Sequence, residues 1–278
     1  MELDLGSDRI NILMDTGASQ EVTLHNIDIL NLDLDDVDLI FLSHGHYDHT
    51  GGLMGILMRM NRKVPVLAHP EIFAPKLKAL PFLNFIGLPF NRAQVEDAGA
   101  VMLEPLEPVA LAKNVSTTGE VQRIVPFEKL EGFWTIKDNQ YRPDTISDDR
   151  ALVVNIEGKG LVVITGCSHA GIINTIRHAQ RVMGVEELYV VIGGFQRMKS
   201  AGLGAQAAVS AFLLIDDRYE YGAFFFLQSR HFWEKRLTLG TSTSQSTIAT
   251  FLLGLKMQPG WWPPGSCQCR PSRWLWTT

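Results

Sequence analysis

Hydrophobic positions along the first 195 residues follow two periods, and the switches between them predict where elements begin. Leu3 and Leu5, followed by Ile10, Ile12 and Leu13, flank the turn residues Gly6-Ser7-Asp8, which predicts a β-hairpin ending at Asp15-Thr16-Gly17. The run Val37-Asp-Leu-Ile-Phe-Leu42, apolar apart from Asp38, predicts a buried strand that leads directly into Ser43-His44-Gly45-His46-Tyr47-Asp48-His49. Past Gly51-Gly52, the residues Leu53, Ile56, Leu57 and Met60 recur at helical spacing. A short strand is predicted at 64–68.

Between residues 70 and 150 the prolines are scattered and the periodicity is weak, so this stretch is expected to be an irregular insertion or lid. Regularity returns at 152–156 and 161–165, two apolar runs around Gly158-Lys159-Gly160 that predict a second hairpin. Its far strand ends at Gly166-Cys167-Ser168-His169. Ile172, Ile173, Ile176, Ala179 and Met183 then mark the apolar face of a helix, with Asn174, Arg177, His178 and Arg181 expected on a solvated face. A buried strand is expected at 188–192, before Gly193-Gly194.

The character of the chain changes at Gln196. Of 30 acidic residues only Asp216, Asp217, Glu220 and Glu234 lie beyond it, whereas five of the six tryptophans do. Residues 1–195 therefore read as one domain. Residues 196–278 read as an anomalous tail, of the kind that a shifted reading frame or poor order would produce.

Composition narrows the function classes. The formal net charge of −5 gives no basic surface for holding a nucleic acid by counterion release. The longest apolar runs fall far short of the roughly 20 residues that span a bilayer, and the acidic start MELDLGSD lacks the pattern of an export signal. Three cysteines, Cys167, Cys267 and Cys269, are too few and too unevenly spaced for a disulfide framework. A cytoplasmic protein with a small-molecule substrate is the expectation, and the oligomeric state stays open.

The strongest chemical signal is the run His44-x-His46-x-Asp48-His49. In an extended segment residues two apart point to one side, so His44 and His46 can present imidazoles to one metal ion, and Asp48 and His49 can serve a second. Four groups in one loop cannot surround two ions. His169, at the tip of another strand, is the natural further ligand. Asp15 can accept a hydrogen bond from a ligand imidazole or simply make a turn, and Cys167 reads as a small buried residue or a thiolate ligand. His69 is expected to be structural, and His25 and His178 solvated. Imidazole and carboxylate donors suit zinc first, with iron or manganese also compatible.

Asp15-Thr-Gly, His44-Gly-His-Tyr-Asp-His49-Thr-Gly-Gly, Thr165-Gly-Cys-Ser-His-Ala-Gly171 and Ile192-Gly-Gly-Phe195 together resemble the metallo-β-lactamase superfamily. Within it they are similar to the branch of the dihydropterin-aminobenzene ribosyl phosphate synthase of methanopterin biosynthesis. The resemblance implies an α/β fold, an αββα sandwich whose N-terminal strand is missing and whose C-terminal part is atypical. It implies two divalent metal ions bound by His44, His46, Asp48, His49 and His169, with Asp48 and His49 at the reacting centre. Gln196 stands where the family pattern has a histidine, so the second ion is expected to be weak or absent. The implied substrate is small and phosphorylated or pterin-like. A generic phosphodiester or thioester hydrolase, or a non-catalytic or damaged relative, are the alternatives.

Overall fold

A computed structural model describes residue 1, residues 9–79 and 82–194 in full, and the backbone alone of residues 2–4, 212–214 and 223–225. The predicted first hairpin is present as β1 (Glu2–Asp4) against β2 (Arg9–Met14), with Leu3 opposite Ile10. Helix α1 (Gln20–Ile29) leads to β3 (Leu39–Phe41), a single helical turn α2 (Tyr47–Thr50), helix α3 (Leu53–Met60) and β4 (Val64–Leu67). Next come the short strands β5 (Lys76–Lys78) and β6 (Asn84–Phe85), helix α4 (Arg92–Asp97), and β7 (Ala100–Leu103), β8 (Ala110–Ala112) and β9 (Val115–Thr117). A hairpin of β10 (Phe133–Lys137) and β11 (Gln140–Pro143) precedes β12 (Ala151–Ile156) and β13 (Gly160–Thr165). Helix α5 (Ile172–Met183), β14 (Leu188–Gly193), β15 (Phe212–Leu214) and β16 (Ala223–Phe225) complete the described elements.

Two sheets face each other, with strand order β1-β2-β3-β4-β7 in one and β16-β15-β14-β13-β12-β9-β8 in the other. Period-two alternation decides which side chains meet. Ile12, Leu39, Phe41 and Leu67 of the first sheet pack against Val115, Leu152, Val154 and Val162 of the second. Their chain neighbours Leu13, Ile40, Leu42 and Val66 point the other way, onto Ile27, Leu53, Ile56 and Leu57 from α1 and α3. On the outer face of the second sheet, Ala151, Val153, Leu161 and Val163 receive Ile172, Ile176 and Ala179 of α5. Each fully buried Leu, Ile or Phe contributes about 1.5–3 kcal/mol, so three such layers make a helix–sheet–sheet–helix order the stable solution.

Two expectations change. The stretch 70–150 is not simply set apart: β7 joins the first sheet and β8 and β9 join the second, while β5, β6, β10 and β11 form a separate four-stranded sheet. Strands of two to five residues are too short to leave a readable alternation. The polar face of α5 is also only partly solvated: Arg177 and Arg181 are exposed, but Asn174 and His178 are buried. Asn174 Oδ1 accepts the Ile124 and Val125 N–H groups at 2.8 and 2.9 Å, and His178 Nε2 lies 3.0 Å from the Thr118 carbonyl. These side chains satisfy backbone groups of the segment packed on the helix.

The predicted tail contributes the backbone of β15 and β16 to the edge of the second sheet. Phe195, Gln196, His231, Cys267 and Cys269 lie outside the described residues. Among the described residues, no helix is long and apolar enough to cross a membrane.

Candidate metal centre

The centre stands where β2, β3 and β13 all end. β3 runs parallel to β2 and β4, so its C-terminal tip delivers the 43–49 loop to one edge of the sandwich. β13, in the opposite sheet, delivers 166–169 to the same edge. Close backbone approach locks the loop in place. A Cβ on Gly52 would fall 2.1 Å from the Thr16 carbonyl oxygen, and one on Gly45 would fall 2.5 Å from that of Ile72.

His44, His46 and His169 form one buried group. Ring centroids lie 4.6 Å apart for His44 and His46, and 4.8 Å for each of these with His169. His44 Nε2 is 3.0 Å from His46 Nδ1. Phe133 closes the group from the small sheet, stacked at 5.6 Å on His46 and edge-on at 5.2 Å to His169.

His44, His49 and Cys167 form the second group. His49 Nε2 is 3.1 Å from Cys167 Sγ, and its Nδ1 is 2.7 Å from Asp15 Oδ2. The Asp48 carboxylate lies further off, 3.9 Å from His49 Nε2.

Asp15 sets the proton positions for both groups. Its Oδ1 accepts the Ser43 N–H at 2.7 Å and its Oδ2 accepts the Ser43 hydroxyl at 2.8 Å. A hydroxyl has one proton. Having donated it to Asp15, Ser43 Oγ accepts from His44 Nδ1–H at 3.0 Å, which leaves the His44 Nε2 lone pair facing inward. His49 Nδ1–H donates directly to Asp15, and its Nε2 points at Cys167 Sγ.

Electrostatics separates the two groups. Burial, followed by the neighbouring histidines and Lys76, holds the His44 imidazole well below its ordinary range. His46 is lowered in the same sense by burial, then by His169 and Lys76. Both rings are therefore neutral donors near neutral pH. For His49 burial also opposes the charge, but the Cys167 thiolate and the Asp15 carboxylate outweigh it and raise the imidazole well above its ordinary range.

A supporting layer lies beneath the loops. Asp148 Oδ2 accepts the Gly45 N–H at 2.7 Å, and its Oδ1 accepts from buried Lys76 Nζ, also at 2.7 Å. Asp149 Oδ2 accepts the Ala170 N–H at 2.7 Å beside His169, and burial raises its carboxyl to about 7. Glu128 caps α5 in place of its own N-cap residue, Gly171, by accepting the Ile173 and Asn174 N–H groups at 2.8 Å. Sequence patterning did not single out Lys76, Glu128, Asp148 or Asp149. The available signal was the charged run Asp148-Asp149-Arg150 placed directly before a buried strand.

The profile of the beta-lactamase superfamily domain matches residues 10–197. The chain belongs to the metallo-β-lactamase superfamily. Members of this superfamily generally bind divalent metals. The chain is 33% identical over 202 residues to the 7,8-dihydropterin-6-methyl-4-(β-D-ribofuranosyl)-aminobenzene-5′-phosphate synthase of Methanocaldococcus jannaschii, covering 70% of this chain and 68% of that protein. It is 32% identical to an uncharacterised protein of the same organism, MJ0448, covering 66% of this chain and 67% of that one. Among solved structures it is similar to Tm1679, a metal-dependent hydrolase of the superfamily, with a TM-score of 0.57, 29% identity, and coverage of 69% and 68% of the two chains.

The donors of this superfamily member fit a divalent ion. Ligand nitrogens on a tetrahedral zinc sit roughly 3.3 Å apart, close to the 3.0 Å between His44 Nε2 and His46 Nδ1. His46 Nε2 is buried with no hydrogen-bond partner among the described residues.

Proposed function

We propose that the chain is a metal-dependent enzyme that binds divalent ions through His44, His46 and His169 and through Asp48 and His49. Its substrate is a small phosphorylated, pterin-like molecule. The observation that carries the reading is the convergence of His169, from one sheet, with His44 and His46 of the 43–49 loop, from the other, into a single buried set of imidazoles. Bound ions would supply Lewis acidity toward a phosphoryl or carbonyl oxygen and would neutralise an anionic leaving group.

The rest of the work falls to the chain's own residues. Asp15 holds the proton on His49 Nδ1 and, through Ser43, the one on His44 Nδ1. Phe133 shields His46 and His169 from water. Beside His46 an open cleft of about 770 Å³ is lined by Tyr47, Phe85, Phe90, Asn84 and Lys78. Exposed Tyr47 and Phe85 offer faces on which a flat heterocycle can stack, and Lys78 offers a cation for a phosphate. The synthase reading is displacement of pyrophosphate from a dihydropterin methyl group by an aminobenzene ribosyl phosphate, and it takes its support from the relative in M. jannaschii.

The test is pyrophosphate release by metal-loaded full-length protein. The synthase reading expects release only when both co-substrates are present. The likeness to Tm1679 favours a second reading, a phosphodiester or thioester hydrolase. That reading expects turnover of small chromogenic esters with no pterin added, and such turnover without pterin-dependent pyrophosphate release would displace the synthase.

A further inference from the structure

We propose that Cys167 is itself a metal ligand, its thiolate joining His49 Nε2 and the Asp48 carboxylate to hold the second divalent cation. The inference rests on the metal-dependent reading above and assigns a donor that the motif of histidines does not include.

Four observations carry it. The donor atoms of His44, His49 and Cys167 all lie within 4.8 Å of one another. Cys167 Sγ is 3.1 Å from His49 Nε2, whereas nitrogen and sulfur on one tetrahedral zinc sit roughly 3.5 Å apart, so a small opening of the pair admits an ion. His49 Nδ1 donates to Asp15, which aims Nε2, with the proton it shares, at the sulfur. His44, by contrast, has Nδ1 held by Ser43 and Nε2 beside His46, so it belongs to the imidazole group. The second ion is then left with His49, Cys167 and Asp48.

Position favours the same assignment. Cys167 follows β13 on the turn that carries His169, two residues before it, and is buried at the end of the strand. One tip thus contributes to both groups. On binding, the proton shared between sulfur and imidazole passes to solvent and a metal–sulfur bond forms; no oxidant or reductant is needed. A thiolate selects borderline-soft ions, zinc and cobalt, over manganese or magnesium.

The experiment is titration of metal-free full-length protein with Co²⁺, followed in the visible and near-ultraviolet and by equilibrium dialysis. The expected result is two bound ions and a thiolate-to-cobalt charge-transfer band that grows with the second. In Cys167→Ser the band should vanish and the second ion should bind at least about tenfold to a hundredfold more weakly, while the first is unchanged. Two bound ions without the band, or one bound ion without the band, would overturn the thiolate assignment and leave the imidazole group standing. No cobalt bound at all would overturn the metal-dependent reading as well. The wild-type spectrum decides between these outcomes even if the variant fails to fold.

Discussion

One loop, residues 43–49, feeds two groups with different electrostatics. The His44, His46 and His169 group is made only of imidazoles, all buried, and His44 and His46 are held neutral by desolvation and by their charged and imidazole neighbours. The His49 group is partly exposed and pairs its imidazole with a carboxylate on one side and a sulfur on the other. Neutral imidazoles offer lone pairs to a cation with no proton to displace. The His49 group already holds a proton in that role, so an ion must displace it. The difference teaches that the two groups should load in order, the imidazole group first.

The largest expected effect breaks the first group. His46→Ala should abolish uptake of the first ion and with it all turnover, measured as metal per chain after dialysis against zinc and assay on the same sample. A variant that still binds one ion tightly would dissolve the distinction between the groups.

Next in size is the support under the loop. Lys76→Ala leaves Asp148 and Asp144 as uncompensated buried carboxylates, which should cost about 3–5 kcal/mol in chemical denaturation. The same change loosens the Gly45 anchor, so metal affinity should fall with stability. Unchanged stability would show that the pair is solvated in solution.

Asp15→Ala sharpens the comparison, because Asp15 serves the His49 group directly and the imidazole group only through Ser43. Affinity for the second ion should fall about 10–100-fold, and for the first by less, read by competition with a chromogenic chelator. Equal losses at both would argue that Asp15 merely shapes the turn.

The smallest effect is one of pH. Burial raises the Asp149 carboxyl from 3.8 to about 7, so the folded state prefers it protonated. The cost of ionising it is fully present above pH 7 and is relieved as pH falls from 7 toward 3.8. Metal-free Asp149→Asn should therefore be more stable than the parent at pH 8, with the gap closing toward pH 4. Thermal melts across that range test the sign.

What the sequence made legible was local. His44, His46, Asp48 and His49 sit within six residues, and β3, β12 and β13 are long or apolar enough to announce themselves. His169 was reachable because it repeats the pattern of a strand delivering polar residues to its tip. The supporting residues were not legible, since their partners are remote in the chain: Asp148 reaches Gly45 across 103 positions and Lys76 across 72. Amphipathic spacing placed His178 and Asn174 of α5 in solvent, but their segment of helix is covered by residues whose backbone groups need partners. Composition and period carry no information about such satisfaction.

The central claim is that imidazoles from the tips of two different sheets grip one cation. Anomalous diffraction from crystals of the zinc-loaded chain, collected at the zinc edge, tests it most directly. A peak lying about 2.0–2.1 Å from one nitrogen each of His44, His46 and His169 is the result this account predicts. A zinc peak elsewhere, with the His169 ring turned away from the loop, would contradict it.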